Sequence, residues 1–298
     1  MKLSTSSNIV FERPDKSIMP MDKMLDLASG AGFNIFDISF YDWSLPGSPF
    51  LTERWREWIE QIAEHKDKLG VSFGQCHAYT YNFLDSRMSE DEKTYHEMLV
   101  LRSIECCAIV GSRLCVTHPE TRFGVVNQTK LSRQGNLEYF GRLFDKIAKF
   151  DMELAVENMC DVAISPRRKY GVTPEELVDL VETFGDSRLG ICWDFEHADI
   201  MEQNQRDCLL YIRKHLKATH VSDTHSATVP ELMHVLPLFG NVDWREVMQT
   251  LREIDYQGFF SFEVNNYGNY FPDPLLPSAL SLAYEIGRYL LGMGAEDS

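Results

Sequence analysis

The sequence predicts an α/β protein: a single-domain (β/α)8 TIM barrel over residues 1–298, ending in a C-terminal helix. Three observations lead there. A short apolar run, a loop and an amphipathic segment recur in that order from one end of the chain to the other. Strict alternation of β and α segments implies a parallel sheet with right-handed crossovers. Eight such units in 298 residues suit a closed barrel better than an open doubly wound sheet.

The units follow one another along the chain. A strand over 2–9 precedes a helix over 19–31, and a strand over 33–40 precedes a helix over 51–69. The third strand, 70–77, leads to a helix over 89–110. Ser89-x-x-Glu92 opens that helix as a capping box, and Leu101, Ile104 and Ala108 fall on one of its faces. Strand 112–118 and helix 132–150 form the fourth unit. Strand 152–158 leads to helix 173–184, where Thr173-Pro174-Glu175-Glu176 reads as a second capping box with proline at the first helical position. The run Leu189-Gly190-Ile191-Cys192-Trp193 is apolar throughout, as strands buried on both faces are. It opens strand 189–194, followed by a helix over 203–215. Strand 217–222 precedes helix 242–255, which starts at Asp243-x-x-Glu246. Strand 258–264 and helix 276–292 complete the set. No linker, low-complexity tract or charge block divides the chain.

Composition narrows the function. Hydrophobic residues make up 44%, aromatic 12% and charged 25%, ordinary values for a chain with a large core. The formal net charge of −16 opposes a nucleic-acid partner, which is gripped by neutralising phosphates. Nor is there the basic stripe of a membrane-surface protein. No stretch is apolar and long enough to span a bilayer. The seven cysteines include no C-x-x-C pair and mostly sit in apolar runs, as small core residues do. The N-terminus lacks the apolar region of a signal peptide, so the cytoplasm is the expected location.

What ends each strand is the informative feature. Strand 5 runs into Glu157-Asn158, strand 6 ends in Asp194, strand 7 contains His220, and strand 8 runs into Glu263. Strands 3 and 4 end at His77 and His118. In this barrel the C-terminal strand ends converge on one mouth, where active sites are built. Three carboxylates at that place repel one another unless a cation sits among them. Glu157, Asp194, His220 and Glu263 are therefore expected to bind one divalent ion. Three oxygens and one imidazole suit Mn²⁺, Mg²⁺ or Co²⁺, with Zn²⁺ also compatible. His77 and His118 stand where they could hydrogen-bond substrate hydroxyls. Trp43, in the loop Tyr41-Asp42-Trp43, and the aromatics Tyr267, Tyr270 and Phe271 could stack on a sugar or pack the loops. Arg167-Arg168-Lys169 lies before the helix at 173 and could hold a phosphate there.

The stretches Ala155-Val156-Glu157-Asn158, Cys192-Trp193-Asp194-Phe195-Glu196-His197, Thr219-His220-Val221-Ser222-Asp223, the run 234–244 and Phe260-Ser261-Phe262-Glu263 resemble the xylose isomerase-like barrel superfamily. The likeness lies with its sugar isomerases and epimerases related to ketose 3-epimerases. The resemblance implies one ion, often Mn²⁺, on Glu157, Asp194, His220 and Glu263. It implies substrate binding by His197, and a catalytic acid/base pair in Glu157 and Glu263. It further implies a small carbohydrate substrate and a homo-oligomer, dimer or tetramer. Two departures bear on the substrate. Thr224-His225-Ser226-Ala227 stands where some ketose 3-epimerases carry an arginine. Pro237-Leu238-Phe239-Gly240 lacks the second glycine of many relatives.

The chemistry such a site implies begins with a proton next to a carbonyl. A bound metal stabilises the developing enediolate, one carboxylate removes the proton, and a second returns it. Return to the opposite face gives epimerisation, and return to the neighbouring carbon gives aldose–ketose isomerisation. Loss of a leaving group instead gives a lyase or dehydratase, with a keto-inositol or 3-oxo-glycoside as substrate. An alternative of another class is a zinc-dependent DNA-repair nuclease like endonuclease IV, with His77, His118, His197 and His234 as extra ligands. Leu232 replaces the aspartate such a site needs, and the net charge opposes DNA.

Overall fold

Side chains on a strand point to alternate faces, so residues two apart share one. Ala155, Cys192 and Ala218 occupy inward positions on three neighbouring strands. With Val116 they form a small, fully buried cluster of their own. The larger neighbours, Leu154, Val156, Ile191, Trp193, Phe260 and Phe262, belong instead to the main core shared with the helices. Glu157, Asp194 and His220 each come two residues after a member of the inner cluster. They therefore stand on the same inward face, one layer higher.

The computed structural model describes residues 1–161, 168–229, 232–265 and 267–293. Its strands are β1 (Lys2–Ser6), β2 (Ile35–Ser39), β3 (Ser72–His77), β4 (Leu114–Thr117), β5 (Glu153–Glu157), β6 (Leu189–Asp194), β7 (Leu216–Val221) and β8 (Phe259–Phe262). They close into a barrel in sequence order, β8 pairing parallel with β1. The helices are α1 (Met21–Gly30), α2 (Trp55–Leu69), α3 (Glu90–Ile109), α4 (Gln128–Ile147), α5 (Pro174–Phe184), α6 (Phe195–Ile200), α7 (Gln205–Ile212), α8 (Trp244–Glu253) and α9 (Leu276–Gly292). The eight expected units are all present.

The differences are local and have local causes. The first strand stops at Ser6 because its hydroxyl accepts the Asn8 N–H at 3.1 Å and turns residues 7–9 into a 3₁₀ helix. Helix α6 was not expected from the sequence. It starts because Asp194 caps it, accepting the His197 N–H at 2.8 Å. Ser89 and Glu92 form the full capping box at α3. At α5 only half of the second box forms. Thr173 accepts the Glu176 N–H at 3.4 Å, but the Glu176 carboxylate takes the Gly171 N–H at 3.0 Å and Arg168 at 2.8 Å. That acid stands before the helix and pairs with Arg168, the arginine of the loop among the described residues. Arg167 lies outside the described residues. The seven cysteines are all buried thiols. Among the described residues no helix is long and apolar enough to cross a membrane.

Candidate metal centre

Four strands deliver four side chains to one point. Glu157, Asp194, His220 and Glu263 each offer a ligand atom, all within 4.8 Å of one another. His220 Nδ1 lies 3.0 Å from Glu157 Oε1 and 2.9 Å from Glu263 Oε2. The other ring nitrogen, Nε2, lies 3.4 Å from Asp37 Oδ2, below in the barrel interior. Asn158 clamps the Asp194 backbone from both sides, accepting its N–H at 2.6 Å and donating to its carbonyl at 2.9 Å. Asp194 Oδ1 is used in the α6 cap, whereas Oδ2 is buried with no hydrogen-bond partner, His197 Nδ1 standing 3.7 Å away. An orphaned carboxylate oxygen beside two further carboxylates is costly unless a cation completes it. The donor set of three carboxylates and one imidazole fits a divalent ion. His77, Glu157 and His220 form a second, overlapping group with ligand atoms equally close.

The electrostatics are those of crowded acids and bases without water. Burial pushes Asp194 up to about 7, with Glu157 and Glu263 adding to the rise against the opposing charge of His197. Burial would also raise Glu157, but the His220 charge and hydrogen bonds with His118, His220 and His77 hold it well below the usual carboxylate range. Glu263 is likewise held down, to about 2, because His220 outweighs burial. Burial would depress His77, yet Glu157 lifts it to about 9. For His118 burial wins over Glu157 and the ring is pushed below its ordinary value.

A model of the family described as xylose isomerase-like TIM barrel matches residues 25–285. The chain belongs to that family. It is 31% identical over 86 residues to the D-psicose 3-epimerase of Enterocloster bolteae, a match covering 29% of this chain and 26% of that one. Among solved structures it is similar to a D-tagatose 3-epimerase-like protein, with a TM-score of 0.75, 21% identity and coverage of 100% and 99% of the two chains. It is also similar to the 3-keto-D-glucoside 4-epimerase of E. coli, with a TM-score of 0.69, 16% identity and coverage of 96% and 99%.

In this member of the xylose isomerase-like family a cavity of ≈ 380 Å³ opens over the cluster. Glu157, Glu263, His77, His118 and His197 line it, while Asp194 and His220 lie buried beneath. His77 Nε2 and His118 Nε2 each lie 3.1 Å from Glu157 Oε2. His197 Nδ1 is 2.7 Å from the Asn158 carbonyl, which fixes its ring. Trp43 is not at this mouth. It packs on Phe11 and Trp58 at ring distances of 5.4 and 5.3 Å and lines a neighbouring, mostly apolar cavity of ≈ 600 Å³. The 3₁₀ turn at 42–44 directs its buried indole into that neighbouring cavity, and Asp42, one residue earlier, borders both cavities. Tyr267 donates to the Ala279 carbonyl at 3.0 Å and packs on Phe271, and Tyr270 is exposed. Asp42 and Lys169, from two loops the sequence singled out, also line the mouth, and so do Glu120 and Asn265, which sequence reasoning missed. Glu120 sits two residues after His118, and Asn265 two after Glu263, so the two-residue period was the available signal. Burial raises the Glu120 carboxyl to about 8 against the pull of Lys169.

Proposed function

We propose that the chain is a divalent-metal-dependent sugar isomerase or epimerase that moves a proton next to a carbonyl. The observation that supports this most is the pair Glu157 and Glu263, each within 3.0 Å of His220 Nδ1, under a cavity of ≈ 380 Å³. Its volume lies in the range of small-molecule sites. Glu157, Asp194, His220 and Glu263 would hold one ion. The oxygen-rich set favours Mn²⁺, with Mg²⁺, Co²⁺ or Zn²⁺ as alternatives. When bound, the ion supplies Lewis acidity to the oxygen beside the reacting carbon.

The chain's own residues do the rest. One glutamate removes the proton and the other returns it on the opposite face of the sugar. Glu157 shares its Oε2 with His77 and His118, and His118, which burial holds below its ordinary value, is the imidazole that can take a proton from it. His197 and His118, on the cavity wall, hold substrate hydroxyls. Similarity to ketose 3-epimerases and to a keto-glucoside epimerase supports a keto-sugar substrate. A lyase or dehydratase on a keto-inositol or 3-oxo-glycoside would use the same acids and differ only in a leaving group.

The test is deuterium exchange followed by NMR. Mn²⁺-loaded protein is incubated in D₂O with free ketoses, ketose phosphates, inososes and 3-oxo-glycosides. Metal-dependent uptake at a carbon next to a carbonyl is expected, and the labelled product separates epimerase, isomerase and lyase. No uptake across the panel by metal-loaded protein would overturn the proposal.

A further inference from the structure

Glu196 has no part in the proton transfer described above, yet it is fully buried. It stands in the first turn of α6 and belongs to neither group of prospective ligands. Its carboxylate accepts the Ser222 hydroxyl at 2.6 Å and the His234 backbone N–H at 2.9 Å to each oxygen. The same carboxylate lies 3.1 Å from His234 Nδ1. A buried charge placed this way is tolerated only when fully paired. Here nearly every pairing serves one residue, His234.

The loop around His234 is built to a fixed shape. Asp223 accepts the N–H groups of Thr224, Leu238 and Val242 at 3.0, 3.2 and 3.1 Å, and the Trp244 indole N–H at 2.8 Å. Asp223 and Val235 exchange both backbone hydrogen bonds at 3.0 Å. Gly240 passes so close that a Cβ there would lie 2.1 Å from Asp223 Oδ1. His234 itself has a φ of +50, a left-handed conformation that a non-glycine residue holds only where its surroundings impose it. The outcome of this construction is an imidazole in the wall of the mouth cavity. Its Nδ1 lies 3.1 Å from the Glu196 carboxylate without meeting hydrogen-bond geometry. Burial would depress the ring, but Glu196 holds it up at about 9.

We infer that His234 is a further substrate-contacting residue, its imidazole meeting an oxygen of the sugar bound over the cluster, and that Glu196 is the positioning residue that fixes its ring. The contact with sugar rests on the keto-sugar reading above; the positioning pair does not. A latch that merely closed the loop would need the backbone N–H contacts alone, and would not need the ring beside the carboxylate.

Two measurements on the full, metal-loaded chain test this. The first compares steady-state deuterium exchange by wild type, His234→Gln and Glu196→Gln on the most active sugar of the panel, with Mn²⁺ affinity measured in parallel. Both variants are expected to raise KM by about tenfold, the loss of one good hydrogen bond, with Mn²⁺ affinity within about twofold of wild type. Unchanged KM in His234→Gln would overturn the substrate contact. The second records ¹⁵N spectra of histidine-labelled, Mg²⁺-loaded protein, with the His234 signals assigned from His234→Gln. Wild type should show a fixed ring state that Glu196→Gln abolishes, and an unchanged signal would overturn the positioning role. Should Glu196→Gln fail to fold, Ser222→Ala removes another contact of the same carboxylate and should loosen the same signal. If wild type exchanges no sugar at all, the keto-sugar reading falls and the substrate contact falls with it, while the ¹⁵N comparison still decides the positioning pair.

Discussion

Replacing Asp194 by asparagine should stabilise the metal-free chain and remove the stabilisation that metal gives wild type. The carboxylate is fully buried, with one oxygen orphaned and Glu157 and Glu263 close by. An acid whose pKa is raised in the fold destabilises it as pH climbs from the ordinary value, and carries the full penalty above the raised one. For Asp194 that window runs from 3.8 to about 7. The corresponding cost at pH 8 is on the order of 4 kcal/mol, of which about half to all is recovered when the charge is removed. Asparagine caps a helix as well as aspartate, so the start of α6 survives. At about 2 °C per kcal/mol for a chain of this size, Asp194→Asn should melt about 4–8 °C higher than wild type in chelator. Wild type at a hundredfold excess of Mn²⁺ over Kd should gain about 2.7 kcal/mol, or about 5 °C, and the variant almost none of it. Thermal melts by circular dichroism at pH 8, with chelator and with Mn²⁺, read both effects. A variant that melts no higher than wild type in chelator and keeps the whole Mn²⁺ shift would refute the reasoning, leaving Asp194 a helix cap only.

Other perturbations reach different parts of the molecule. Glu157→Gln and Glu263→Gln should each lower deuterium exchange by about 10²–10⁴ with an unchanged far-ultraviolet spectrum; wild-type rates in either would remove the acid/base pair. Metal affinity should rise with pH, because His220 is lifted above its ordinary value in the metal-free chain and must lose a proton to bind. Calorimetry in buffers of different ionisation heat would read that release, and proton-independent binding would contradict it. Gly240→Ala should cost about 1–3 kcal/mol through its collision with Asp223, checked by urea unfolding. An unchanged midpoint would mean that the loop yields at no cost.

Much of this was legible in the sequence because the strands are short and end in chemistry. The apolar runs reach Glu157, Asp194 and Glu263 and then stop, and the barrel brings those ends together. His77, His118 and His197 follow for the same reason, standing at or just past strand ends. Trp43 did not follow, since a 3₁₀ turn decides which way a loop residue faces and no periodic pattern records that. Glu196 and His234 are 38 residues apart in the chain. Their pairing depends on how the β7–α8 loop folds back, which sequence spacing alone does not encode. Asp37 could have been found: it is the one charged residue in the run Ile35-Phe36-Asp37-Ile38, at an inward position two residues before Ser39.

The small inner cluster has a consequence for isotope traffic. Val116, Ala155, Cys192 and Ala218 are fully buried and form an apolar layer on the strands that carry Glu157 and its neighbours. The shortest way from Glu157 to bulk water is upward through His118, which is 22% exposed against 6% for His77. A sugar seated over that wall covers this route. Label carried in on the substrate should thus return partly to the product instead of washing out, and the retained fraction measures how quickly His118 trades its proton with solvent.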